Sequence, residues 1–200
     1  AANNQEDKKD NLIVSPYNAL TCLAMVAKGA AKNTQEEMAQ VLFGTDANTV
    51  DAQAETLAAL NAKILAANKG QVTLTTANGV WVNKEQLAVN KKFAGELKKV
   101  FGAEISEENF SDKSVPKKIN SWADANTNHL INSIVDELKK DDFAILASAL
   151  YFKGDWTHEF NKKETKNLSF TSDDGAVSST PTMHKFFKEG EVRYQTGADY

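Results

Sequence analysis

The chain has 200 residues, 42% hydrophobic and 25% charged, proportions that suit a globular domain with a sizeable core. Its net charge of −4, with no densely basic stretch, gives no footing for a nucleic-acid binder, and no apolar run approaches the roughly 20 residues of a membrane span. The single Cys22 excludes an internal disulfide and says nothing firm about redox compartment.

In chain order, residues 1–10 read as a polar tail or the end of a trimmed helix. The absence of an initiator Met and of a signal peptide points to a processed or trimmed start. Asn11–Val14 reads as a short strand, and Ser15-Pro16 then opens a helix, with Ser as N-cap and Pro at the first helical position. That helix runs to about Lys28 and is apolar nearly all round, as a helix buried in a core would be, with Gly29 expected as its left-handed cap. Thr34 and Glu37 fit a capping box for a second helix carrying Met38, Val41 and Leu42, closed by Gly44. A third, Ala-rich helix covers 47–67, with Leu57, Leu60, Ile64 and Leu65 at helical spacing.

Residues 71–82 alternate as a strand interrupted by Asn78-Gly79. A hairpin there would need an antiparallel return, so a bulge or a close backbone approach within one long strand is the preferred reading. A helix at 90–100, a strand near Ala103–Ile105 and an amphipathic helix from Ser114 to Asn128 follow. Phe143–Phe152 is apolar or small except for Ser148. Phe143, Ile145, Ala147, Ala149 and Tyr151 share one face, and Ala144, Leu146, Ser148, Leu150 and Phe152 the other. Neither face suits water, which predicts a central strand covered on both sides, with a hydrogen-bond partner required for the Ser148 hydroxyl. Residues 163–198 read as three strands, with a turn at Asp173-Asp174-Gly175. Helices come first and strands dominate later, so the class is α+β with a mixed sheet.

A search for chemistry finds little. His129, His158 and His184 are scattered and no ligand cluster, phosphate loop or nucleophile motif is present, so no metal, cofactor or catalytic residue is expected and the chain does not read as an enzyme. Cys22 reads as a packed core thiol, and the 47–67 helix offers only Lys63, with Lys69 just beyond it, so no polyanion face is indicated. Asn109-Phe-Ser and Asn167-Leu-Ser are glycosylation sequons of a kind that arises by chance in an Asn-rich chain.

Three motifs together resemble one family. Asn11-Leu-Ile-Val-Ser-Pro-Tyr-Asn with Lys28-Gly-Ala and Asn33-Thr-Gln-Glu-Glu-Met is similar to the opening helices of the serpins. Thr76-Ala-Asn-Gly-Val-Trp-Val resembles the second strand of their large sheet. Ile119-Asn-Ser-Trp, Thr127-Asn and Ser148-Ala-Leu-Tyr-Phe-Lys-Gly-Asp-Trp resemble their crossing helix and third strand. The resemblance covers the first half or so of a serpin. Residues 1–200 are therefore expected to form the N-terminal portion of a single serpin domain, with the reactive-centre loop outside the chain.

The resemblance implies a metastable inhibitor of serine (or cysteine) peptidases. The target cleaves an exposed loop and is trapped as an acyl-enzyme while the loop inserts beside the strand at 142–152. Its implied partners are the target peptidase and the C-terminal remainder of the protein, with a secreted or periplasmic location and an intracellular one as the alternative. Ser15, Asn18, Thr21, Asn78 and Ser148 fall where the family keeps its polar "shutter", and Trp156 falls at the "breach" where insertion begins. The family usually has Asn where Ser148 stands and Ser where Asn18 stands, so an amide–hydroxyl exchange across the shutter is expected. Alternatives remain open: a non-inhibitory serpin acting as carrier, chaperone or storage protein, an ordinary ligand-binding domain, or a shutter of merely satisfied buried polar groups.

Overall fold

The computed structural model describes residues 14–67, 72–188, 190 and 192. The expected strand at 11–14 lies outside them apart from Val14, as does most of the strand expected from Glu191 onward. Two compact units divide the chain, Val14–Gly154 and a second containing residues 155 onward.

In the first unit, helices α1 (Pro16–Gly29), α2 (Lys32–Phe43) and α3 (Val50–Ala67) precede strand β1 (Val72–Asn83). Helix α4 (Lys91–Phe101), strand β2 (Glu104–Glu108), helix α5 (Val115–Asn126) and strand β3 (Ala144–Gly154) follow. The strands form one sheet in the order β2-β1-β3, with β1 parallel to β2 and antiparallel to β3. The expected fold class, α+β with a mixed sheet, is the one observed.

Apolar residues on opposite faces of the strands build two cores. Beneath the sheet, Met25 of α1 and Leu97 of α4, both fully buried, meet Val80, Val82 and Ala103, with Leu146 and Phe93 packed against them. Above it, Val115 and Ile119 of α5 meet Trp81 and Phe110, joined by Trp122, Ile145 and Ala147. The alternation read in 143–152 is therefore observed: Ile145 and Ala147 join the core beneath α5, and Ala144 and Leu146 join the core against α1 and α4.

Several local expectations need correction. Gly29 is the last residue of α1, and extended Ala30 closes the helix, so no left-handed glycine caps it. The value of Gly29 is space, because a Cβ there would stand 2.9 Å from the Phe93 ring. Helix α2 starts at Lys32, which places Thr34 within its first turn, and its N-terminus has no side-chain cap. Glu36 instead accepts from the Ala47 N–H at 2.9 Å. Gly44 does cap α2 in the left-handed region, at φ 65°. Helix α1 is not enclosed all round: Leu23 and Val26 are 44% and 40% exposed, because packing by the first unit reaches only one side of it. Val41 and Leu130 are also exposed.

The strand containing Asn78-Gly79 is single and unbroken, with continuous register to β3 and no bulge. The close approach is made by a side chain: the Trp81 ring folds back over Gly79, where a Cβ would lie 2.4 Å from it, with Trp122 3.2 Å away. Trp81 and Trp122 meet edge to face at 5.2 Å between ring centroids. Strand β3 is not central among the described strands. It pairs with β1 alone, and Leu150 and Phe152 are partly open to solvent.

The second unit holds the antiparallel hairpin β4 (Lys166–Thr171) and β5 (Val177–Thr182). The expected turn is present: Gly175 adopts φ 82°, and Asp174 Oδ1 accepts from the Ser172 hydroxyl at 2.6 Å and the Ala176 N–H at 3.0 Å. Those two donors hold the Asp174 carboxyl below its ordinary pKa.

The Trp81–Gly79 contact leads to a prediction. Replacing Gly79 with Ala should destabilise the full-length protein by about 1–3 kcal/mol, since a ring buried between sheet and helix has no room to retreat. Urea unfolding with tryptophan fluorescence measures this, and an unchanged midpoint would contradict it.

Candidate functional site

The polar groups singled out by the sequence gather where the N-terminal end of α1 meets the middle of the sheet. Ser15 has extended backbone and caps α1, its Oγ accepting the Asn18 N–H at 3.3 Å and donating to Asn18 Oδ1 at 3.1 Å. The Asn18 amide is thereby oriented so that Nδ2 donates to the main-chain carbonyl of Ser148 at 3.0 Å. This bond joins residues 130 positions apart in sequence.

Register then brings in Asn78, which stands directly opposite Ser148 across the β1–β3 ladder. Asn78 is 7% exposed, and its Nδ2 donates to the Phe101 carbonyl at the end of α4, at 2.8 Å. Its Oδ1 is buried and has no hydrogen-bond partner among the described residues. Thr21, also buried, turns inward on its own helix and donates to the Tyr17 carbonyl at 2.9 Å. Burial pushes the Tyr17 phenol up in pKa, against the opposing effect of its contact with Thr21.

Of the five expected shutter residues, Ser15, Asn18 and Ser148 form one connected chain of hydrogen bonds, and Asn78 faces Ser148 in register. Thr21 completes its own helix rather than joining them. The requirement placed on the Ser148 hydroxyl is relaxed: the residue is half-buried and enters the network through its carbonyl. An amide–hydroxyl exchange between positions 18 and 148 is therefore replaced by an amide–carbonyl bond that any residue at 148 would accept. Trp156 belongs to the second unit, where it is 61% exposed and meets Phe160 edge to face at 5.2 Å.

Cys22 is half-buried against the lower core, and burial raises its thiol pKa, which keeps it in the poorly nucleophilic thiol form. Among the described residues no group of three or more His, Cys, Asp or Glu is placed to hold a metal ion. Small and polar groups sit where helices meet the sheet.

The other face of β3 has matching geometry. Ala147 packs against the upper core and lies opposite Gly79, and Ala149 lies opposite Ala77. Residues with little or no side chain thus form a shallow track beneath α5. Sequence reading missed the Phe101 carbonyl, which no side-chain pattern signals. It also missed Asn120, whose Oδ1 accepts from Ile134 and Val135 N–H while its Nδ2 donates to the Val135 carbonyl. An Asn between apolar positions of an amphipathic helix was the available signal.

A family model described as Serpin (serine protease inhibitor) matches residues 1–199. The chain belongs to the serpin family. Human neuroserpin is 30% identical over 193 residues, which is 95% of this chain and 46% of that protein. The native stressed conformation of Arabidopsis AtSerpin1 superposes with a TM-score of 0.78 at 27% identity, covering 90% of this chain and 47% of that one. Human thyroxine-binding globulin superposes at 0.75 with 25% identity, covering 88% and 48% respectively. The chain therefore spans about half the length of the serpins it matches, and the fold is that of their N-terminal part.

The network makes a discriminating forecast for a full-length serpin carrying these residues. Asn18→Ala removes the donor to the Ser148 carbonyl and should cost about 1 kcal/mol, whereas Ser148→Ala keeps the carbonyl and should cost less than about 0.5 kcal/mol. Equilibrium denaturation of both variants decides the point: a larger loss for Ser148→Ala would show that the hydroxyl, not the carbonyl, matters.

Proposed function

We propose that this serpin inhibits serine peptidases, with cysteine peptidases as a second target class, by acting as a suicide substrate whose cleaved loop inserts beside β3. The carrying observation is the match of residues 1–199 to the family of serine protease inhibitors. Within this half of a serpin, β3 pairs among the described residues only with β1. On its other edge the Ser148 carbonyl is already taken by Asn18, and the remaining N–H and C=O groups stand open to a further strand. An added strand would satisfy those groups and cover partly exposed Leu150 and Phe152.

Two other features support the reading. The Asn18–Ser148 bond ties β3 to α1 at a single carbonyl, a contact that a small sliding movement can break and remake. The Ala147 and Ala149 track gives α5 little to catch on. In this scheme the target enzyme supplies the nucleophile, so the serpin needs no catalytic residue. The peptidase serine attacks the reactive-loop carbonyl, the peptide bond breaks, its amine leaves with a proton, and the ester persists because insertion distorts the captured enzyme.

A second reading, a non-inhibitory carrier, is favoured by the match to a serpin solved with thyroid hormone bound. Nicking the reactive loop of the full-length protein separates the two. Each ladder hydrogen bond is worth only about 0.5–1.5 kcal/mol net, but a strand of them with its buried side chains adds on the order of 10 kcal/mol, comparable with a domain's whole stability. Thermal unfolding should therefore shift strongly upward after the cut, and incubation with a susceptible peptidase should yield a covalent complex that survives denaturation. No shift and no complex would favour the carrier.

A further inference from the structure

The helix above β3 is held down by a turn whose conformation its own residues do not favour. Helix α5 ends at Asn126, and the next two residues after Thr127 both adopt left-handed backbone, Asn128 at φ 52° and His129 at φ 63°. Asn and His tolerate that region better than most side chains, yet neither has the freedom of glycine. Two successive residues of this kind persist only if contacts outside the turn hold them.

Those contacts point in two directions. Toward the helix, the His129 N–H donates to the Asp124 carbonyl at 2.9 Å, and His129 Nδ1 lies 2.7 Å from Asp124 Oδ2, the ring nitrogen donating to the carboxylate. Toward the sheet, Asn128 Nδ2 donates to the Tyr151 hydroxyl at 3.1 Å. Tyr151 stands on the same face of β3 as Ala147 and Ala149, the face beneath α5. Buried Thr127 fixes the base of the turn, its Oγ1 accepting the Ile131 N–H at 3.0 Å and donating to the Ala123 carbonyl at 2.8 Å.

We propose that Asn128 and His129 form a latch holding the C-terminal end of α5 on β3, with Tyr151 as its catch on the sheet. Along the Ala147 and Ala149 track α5 meets little that could resist sliding, so the latch supplies the directional contact that the track lacks. Because the turn is unfavourable in itself, losing either contact removes the reason for its shape, and the helix end loosens as a unit. Tyr151 and His129 are positioning residues: they act through α5 and touch no substrate. The consequence for trapping, that the latch sets how readily α5 lets the sheet accommodate a strand, rests on the inhibitory reading. The latch itself does not.

The test is hydrogen exchange on the full-length protein, comparing wild type with Tyr151→Phe and His129→Asn. Tyr151→Phe keeps the ring and removes only the acceptor, while His129→Asn keeps a residue that tolerates left-handed backbone and removes the imidazole. Each should speed exchange of amides in the last turn of α5 and through Leu130 by about threefold to tenfold, with the β1–β3 ladder unchanged. Unchanged exchange in both variants, or acceleration spread evenly through the sheet, overturns the proposal. His129 is exposed, so its variant keeps the test decisive even if Tyr151→Phe folds poorly. A trapping assay on the same proteins is read separately: failure of wild type to trap any peptidase would remove the inhibitory reading and leave the exchange result standing.

Discussion

The antiparallel ladder between β1 and β3, running from Val72 opposite Gly154 to Val82 opposite Ala144, is the constraint on which the other contacts depend. Because side chains alternate with period two, this one register assigns every residue of both strands to a face. It puts Val80, Val82 and Leu146 together over α1 and α4, and Trp81 and Ile145 together under α5. It also sets Asn78 opposite Ser148 and Gly79 opposite Ala147. A slip of β3 by one residue would turn Ser148 toward α5 and Ala147 toward α1, taking Ile145 and Leu146 out of their cores.

The same register explains how polar atoms are tolerated at the centre of an apolar sandwich. An amide inside a core is costly unless satisfied, and Asn78 obtains one bond from the end of α4 while its Oδ1 remains without a partner among the described residues. Asn83, 1% exposed at the other end of β1, is better provided: its Nδ2 donates to the Lys140 and Asp142 carbonyls, both at 3.0 Å, and pins the entry to β3. The strand pair is therefore anchored firmly at one end and held loosely at its middle. Away from the sheet centre, charge serves anchoring too. Burial pushes the Glu108 carboxyl up, but hydrogen bonds from Lys118 and Ser106 outweigh it and hold it below its ordinary range, so α5 is tied to β2 by an ion pair at neutral pH.

Much of this was legible in the sequence, for identifiable reasons. Alternation in 143–152 gave both faces of β3 correctly, and the Ser15-Pro16 pair gave the start of α1 to the residue, because a cap is a local event. Gly29 and Thr34 misled because each fits a familiar local device while its real environment is tertiary: Phe93 sits against the one, and the helix has already begun before the other. Leu23, Val26 and Leu150 read as core but stand partly exposed, since composition records a preference for burial and not which element provides it. Within the site, the sequence named Asn18 and Ser148 but paired the wrong atoms, since a main-chain carbonyl leaves no trace in residue identity. The family resemblance singled out these polar residues; only register and distance showed which bonds they make.

The balance between these contacts bears on the proposed parting of the sheet beside β3. If β3 were sealed by a large residue at 147 or by a second well-satisfied amide at its middle, the sheet would gain stability and lose a place to part. Alanine at 147 and 149, one shared carbonyl at 148 and an incompletely bonded Asn78 all reduce what must be broken there, while Asn83 concentrates polar anchoring at its own end of the ladder. Rigidity at one end with slack at the middle is the distribution that the proposed insertion would require of β3. A uniformly packed sheet of the same length would resist opening everywhere or give way everywhere, and neither admits a new strand at a defined edge.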